Sequence, residues 1–199
     1  MSAALNMQLD YALATRSHPD EDVCGDAGLL KMVDNDLFIA LIDGLGHGPD
    51  AQSAAVSAIK YLEDASRKSR LIDVMQGLHE HLRRSRGAVV ALCRFETATR
   101  MLTYVGVGNI TVKLYAPKPI TFVPQEGIVG YIMSTLREET LILSPMTVLV
   151  LHSDGLPAHL DMSNELRSSH STAQEIAERL LNKFGKNDDD GSCIVVKVD

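Results

Sequence analysis

The chain alternates short apolar runs with acidic, glycine-rich breaks. Leu37-Phe38-Ile39-Ala40-Leu41-Ile42 is an unbroken apolar run that stops at Asp43-Gly44-Leu45-Gly46-His47-Gly48. Val148-Leu149-Val150-Leu151 repeats the construction and stops at His152-Ser153-Asp154-Gly155. Runs of this length bounded by turn residues predict buried strands. Met7 to Arg16 reads as a first strand, and Gly28 to Val33 and Leu37 to Ile42 flank Asp34-Asn35-Asp36, which suits a tight hairpin turn. Pro49 fits a first helical turn, and Ala51, Ala54, Ala55, Ala58, Ile59 and Leu62 recur at helical spacing. A second helix is predicted from about Ile72 to Arg83. Ala88 to Phe95, Met101 to Val107, Ile110 to Tyr115, Glu139 to Leu143 and Thr147 to His152 read as strands, with Gly, Asn and Pro as punctuation. A helix with Ser171 or Thr172 as N-cap and Ile176, Leu180 and Leu181 facing inward precedes a last strand, Ser192 to Val198. Few βαβ alternations are visible. The pattern therefore predicts an α+β fold, antiparallel sheets covered by helices, in a single domain over residues 1–199.

Composition narrows the function. Hydrophobic residues make up 45% of the 199 positions, enough for a sizeable core. Aromatics are 5%, with no Trp, which is poor material for base-stacking platforms. A net charge of −7 disfavours nucleic acid and anionic membrane as partners, since both call for clustered Lys and Arg. The basic run Arg83-Arg84-Ser85-Arg86 reads either as a solvated helix end or as a partner contact. Cys24, Cys93 and Cys193 are odd in number and widely spaced, which predicts free thiols and a cytoplasmic protein. No apolar stretch reaches the ~18 residues of a membrane span.

Acidic residues gather at strand boundaries. Asp26 precedes the first hairpin, Asp43 and Asp154 end apolar strands in Asp-Gly turns, and Asp188-Asp189-Asp190 stands just before the last strand. Each Asp alone reads as an ordinary turn or solvated loop. Their joint placement predicts a site where carboxylates converge, and converged carboxylates repel one another unless protonated or neutralised by a cation. Mg²⁺ or Mn²⁺ suits an all-oxygen ligand set, whereas zinc calls for His and Cys at ligand spacing, which is not found.

The segments Asp43 to Gly48, His152 to Leu156 and Asp189-Asp190-Gly191-Ser192 resemble, in order and spacing, the metal-dependent serine/threonine phosphatases of the PPM, or protein phosphatase 2C, type. The bacterial branch that includes SpoIIE and RsbX matches best, and the size of the chain looks most like its RsbX-like members. The resemblance implies an α-β-β-α sandwich of two antiparallel sheets flanked by helices. It implies that Asp43 bridges two Mn²⁺ or Mg²⁺ ions, with the Gly44 carbonyl helping to hold the first and Asp26 acting on it through water. Asp154 and Asp189 would hold the second ion, with Asp190 in a supporting role behind them. The implied chemistry is in-line attack on phosphorus by an activated water, with no phosphoenzyme. Cys24, close to Asp26, is then expected to be a small buried residue rather than a nucleophile.

Three features depart from the family pattern. Leu45 stands where animal relatives carry a His proposed as the acid for the leaving group, and His47 lies two residues further on as a substitute or as a merely polar turn residue. Asn109 replaces an Asp that binds a third metal in other members, so a weak or absent third site is expected. The short interval from Asp154 to Asp189 leaves little room for a flap, which implies an open site suited to a folded protein. The branch implies phosphorylated STAS-domain proteins of a stressosome-like partner-switching pathway as substrates. Two other readings are a catalytically weak adaptor with the same fold and a hydrolase of small phosphoesters.

Overall fold

The computed structural model describes residues 9–67, 70–159, 161–166 and 171–198. Three strands open the chain: β1 (Leu9–Arg16), β2 (Asp26–Val33) and β3 (Asp36–Gly44). Helices α1 (Pro49–Ala65) and α2 (Leu71–Leu82) follow. Next come β4 (Ala88–Glu96), β5 (Met101–Val107), β6 (Thr111–Tyr115), β7 (Ile120–Phe122), β8 (Gly127–Ile128), β9 (Ile132–Met133), β10 (Glu139–Ile142) and β11 (Thr147–His152). Helices α3 (Ser163–Leu166) and α4 (Ala173–Phe184) and strand β12 (Gly191–Val198) complete the described elements. The start of the expected first strand, at Met7, lies outside the described residues.

The long strands form two antiparallel five-stranded sheets, ordered β1-β12-β11-β6-β7 and β10-β5-β4-β3-β2. Alternation along β3 explains its unbroken apolar sequence. Leu37, Ile39 and Leu41 join the core between the sheets, with Leu149 and Leu151 of β11 and Ile194 and Val196 of β12. Phe38, Ala40 and Ile42 point the other way, onto Ala55, Ala58 and Leu62 of α1 and Val74, Met75 and Leu78 of α2. The second sheet repeats this: Val150, Cys193 and Val195 face Ile176, Ala177 and Leu180 of α4. Strands covered on both faces need apolar side chains at every position. The result is helix, sheet, sheet, helix.

Local chemistry sets the ends of these elements. Val33 pairs with Asp36, leaving Asp34 (φ 50°) and Asn35 (φ 75°) as a two-residue turn, a conformation that Asp and Asn tolerate. Pro49 begins α1, whose alanines let the helix lie close to the sheet. Thr172 caps α4: its hydroxyl accepts from Glu175 N, and the Glu175 carboxylate accepts from Thr172 N.

Strands β7 to β9 were not anticipated. Ile120–Phe122 is a three-residue edge strand just after Pro117 and Pro119, and β8 and β9 have two residues each. Elements this short hold no full period of a hydrophobic pattern. The β8–β9 hairpin is joined to the start of β4 through Ala88 N to Val129 O (3.0 Å) and Val129 N to Ala88 O (2.8 Å). None of the described helices is long and apolar enough to cross a membrane.

Candidate metal centre

The strand ends that the sequence singled out meet at one edge of the sandwich. Asp26, first residue of β2, lies directly opposite Asp43 near the end of β3. Asp154 leaves β11, and Asp189 and Asp190 lead into β12, the neighbour of β11. Two glycines are needed where backbones close on one another. A methyl group on Gly44 would stand 2.2 Å from Ala51 O in α1, and one on Gly155 would stand 2.0 Å from Asp190 O. Only glycine permits both approaches.

Electrostatics confirm that these carboxylates feel one another. Burial pushes the Asp43 carboxyl up to about 9, and repulsion from Asp26, Asp154, Asp189 and Asp190 adds to the shift. Asp26, 6% exposed, is pushed up to about 6 by burial, with the Ser153 and Ser192 hydroxyls pulling it partly back. Its Oδ2 nevertheless has no hydrogen-bond partner of normal geometry. Asp189 is raised as well, by burial and by Asp154. Asp154 is exposed, so the cluster grades from a buried floor at Asp26 to an open mouth.

Asp190 and Asn109 do different work from the rest. Both oxygens of Asp190 are occupied: Oδ1 accepts from His18 N and Oδ2 from Gly25 N, each at 2.9 Å. Gly44 N in turn donates to Gly25 O (3.1 Å). Asp190 thus clamps the β1–β2 loop, and through it the end of β3, to the start of β12. Asn109 Nδ2 donates to Asp154 Oδ2 (2.9 Å), which orients that carboxylate. His47, its side chain 63% exposed, is held by Nδ1 to Glu21 Oε1 (2.9 Å) and stacks on His18 with centroids 5.3 Å apart. Cys24 is half-buried rather than part of the core. Its thiol donates to Arg16 O and is pushed up to about 12, mainly by burial, so it is no nucleophile at neutral pH.

Sequence reasoning missed Glu21 and His18, which lie in a loop with no periodic pattern. Arg86 belongs to the basic run, yet it does not simply extend into water: Nη2 pairs with Asp50 Oδ2 at 2.6 Å, at the first turn of α1.

Among the described residues, no group of three or more His, Cys, Asp or Glu side chains is arranged to hold an ion by itself. Small hard cations, however, complete their shells with carbonyl and water oxygens. An orphaned buried carboxylate oxygen and a carboxyl forced up to about 9 by burial and by its acidic neighbours are what a dication relieves. The residues fit such an ion.

The family profile described as Stage II sporulation protein E (SpoIIE) matches residues 33–199. The chain belongs to the SpoIIE family of PPM-type serine/threonine phosphatases. Phosphoserine phosphatase RsbX of Bacillus subtilis (strain 168) is 27% identical over 163 residues, 80% of each chain. A structure solved in work on the bacterial stressosome, as a modular system adapted to control secondary messenger signalling, is 36% identical. It superimposes with a TM-score of 0.90 over 95% of this chain and 99% of its own. RsbX in complex with magnesium shares the fold at a TM-score of 0.85 and 21% identity, over 97% of this chain and all of that one. The α-β-β-α sandwich expected from the sequence is therefore the fold of this SpoIIE-family chain.

Proposed function

We propose that this chain is a protein phosphatase that hydrolyses phosphoserine or phosphothreonine at a site loaded with two Mn²⁺ or Mg²⁺ ions. Its proposed substrates are phosphorylated STAS-domain proteins of a stressosome-like partner-switching system. The observation that carries the activity is the convergence of Asp26, Asp43, Asp154, Asp189 and Asp190 from both sheets on one edge of the sandwich, with Asp43 driven to about 9. The substrate class rests on the likeness to RsbX and to the stressosome structure.

In this reading Asp43, Asp154, Asp189 and the Gly44 carbonyl are the ligands, and Asp26 acts through water. Bound ions supply an acidified water and charge neutralisation on the phosphoryl oxygens. The chain's own groups do the rest. Asp190 fixes the spacing between the two sheets at the site, because both its oxygens are committed to backbone donors. Asn109 holds Asp154 toward the mouth and adds no further negative charge there. Glu21 holds His47 through Nδ1, and His47 would donate the proton that the departing serine oxygen takes up. The adaptor reading gains no support, since every carboxylate that the chemistry needs is present.

The test is Mn²⁺-dependent phosphate release from a phosphorylated STAS-domain protein, with EDTA and Asp43→Asn as controls. Release abolished by both controls is the expected result. Release from generic phosphopeptides alone would discard the proposed partner. Silence on both, from folded protein with metal supplied, would overturn the enzymatic reading.

A further inference from the structure

We propose that Arg86 is a docking residue that selects phosphoproteins with acidic residues beside the phosphoserine; the inference rests on the phosphatase reading above. Register places this side chain at the lip of the carboxylate site. Gly44 pairs with Ala88, and Leu45 N donates to Gly87 O at 3.1 Å, so the backbone entering β4 runs alongside the Asp43–Gly48 turn. Arg86 is the next residue back along that backbone. Its guanidinium lies over the turn: a methyl group on Gly46 would stand 3.2 Å from Nη1.

The Asp50 contact does not commit Arg86. Both side chains are more than half exposed, 53% and 68%, and an ion pair in water is weak and readily exchanged. A substrate carboxylate can replace Asp50, and the planar fork of Arg favours carboxylate partners. Charge complementarity names the occupant. The chain carries a net charge of −7, so an acidic phosphoprotein is repelled by most of its surface. Arg83, Arg84 and Arg86 are all exposed. Arg83 is engaged with Glu80 at 3.1 Å on its own helix end, whereas Arg86 reaches toward the site. A phosphoserine entering the carboxylate mouth brings its flanking residues past Arg86.

The experiment uses two fluorescent peptides that carry a non-hydrolysable phosphonate in place of phosphoserine, one flanked by Asp and Glu and the other by Lys and Arg. Anisotropy in the presence of Mg²⁺ gives their affinities for the full chain. The wild type is expected to prefer the acidic peptide by ~5-fold, with the preference shrinking as salt is raised. Arg86→Ala should abolish the preference, and Arg86→Lys should retain part of it. Turnover of p-nitrophenyl phosphate should stay within ~2-fold in Arg86→Ala, because that substrate has no flanking residues and reports only on the intact centre. A wild type indifferent to the flanks, or an Arg86→Ala variant with undiminished preference, overturns the proposal. If the wild type hydrolyses no phosphoester at all, the phosphatase reading fails, and the anisotropy comparison still decides the role of Arg86.

Discussion

Replacing Asp43 by Asn, which keeps the shape of the side chain and removes its ionisable proton, should stabilise the metal-free protein at pH 8. Burial and four neighbouring carboxylates raise Asp43 to about 9 in the folded chain, against ~3.9 in an unfolded one. Between those values the folded state holds a proton that the unfolded state has lost. Unfolding releases it, so stability falls as pH rises, by at most ~1.4 kcal/mol per pH unit for one group. The interval from pH 7 to 8 isolates Asp43. Asp26, at about 6, is by then largely ionised. His152 is held neutral by burial, so it weakens the fold only on the acid side of that interval. The buried thiols begin to matter only near the ~8.5 of an unfolded cysteine. For a chain of this size 1 kcal/mol is worth ~2–4 °C in Tm, so the wild type in EDTA should lose ~3–5 °C between pH 7 and 8. Asp43→Asn should lose the slope and melt higher than wild type at pH 8. Mg²⁺ should reverse the order, because a bound cation replaces the proton in the wild type and finds no such carboxylate in the variant. Thermal melts followed by circular dichroism, in EDTA and in Mg²⁺, test each step. A wild-type Tm that is flat or rises from pH 7 to 8 in EDTA would refute the reasoning, as would an equal slope in the variant.

Gly44→Ala should lower stability by ~2–4 kcal/mol in urea titrations with EDTA present, since the added carbon meets Ala51 O at 2.2 Å; a loss below ~0.5 kcal/mol would mean that the α1 turn yields easily. Asn109→Asp replaces a donor with a like charge 2.9 Å from Asp154 Oδ2 and should cost ~1–2 kcal/mol in EDTA at pH 8, measured in the same titration. His47→Ala should slow phosphoserine hydrolysis by ~10–100-fold and spare p-nitrophenyl phosphate, whose leaving group needs no proton; an unchanged rate on phosphoserine removes His47 from the acid role.

What the sequence reveals here follows from how each feature is encoded. Leu37 to Ile42 reads as a strand because both of its faces are covered, one by the facing sheet and the other by α1 and α2, so no polar residue interrupts it. The step from such a run to Asp-Gly marks where the sheet ends, which is why Asp43 and Asp154 stand out before any coordinates are known. The two-residue strands β8 and β9 leave no comparable trace, and neither does the clamp formed by Asp190. Asp190 is set apart from Asp189 by its two oxygens, which meet His18 N and Gly25 N in a loop more than 160 residues earlier. That meeting depends on β1 lying beside β12, a matter of strand order. The same holds for Glu21 on His47 and for Arg86 over Gly46: each contact joins segments that local pattern treats as unrelated loops. The strand ends announce their own carboxylates. The residues that touch those ends come from whichever loops the sheet order brings alongside, so the contacts become visible only once that order is known.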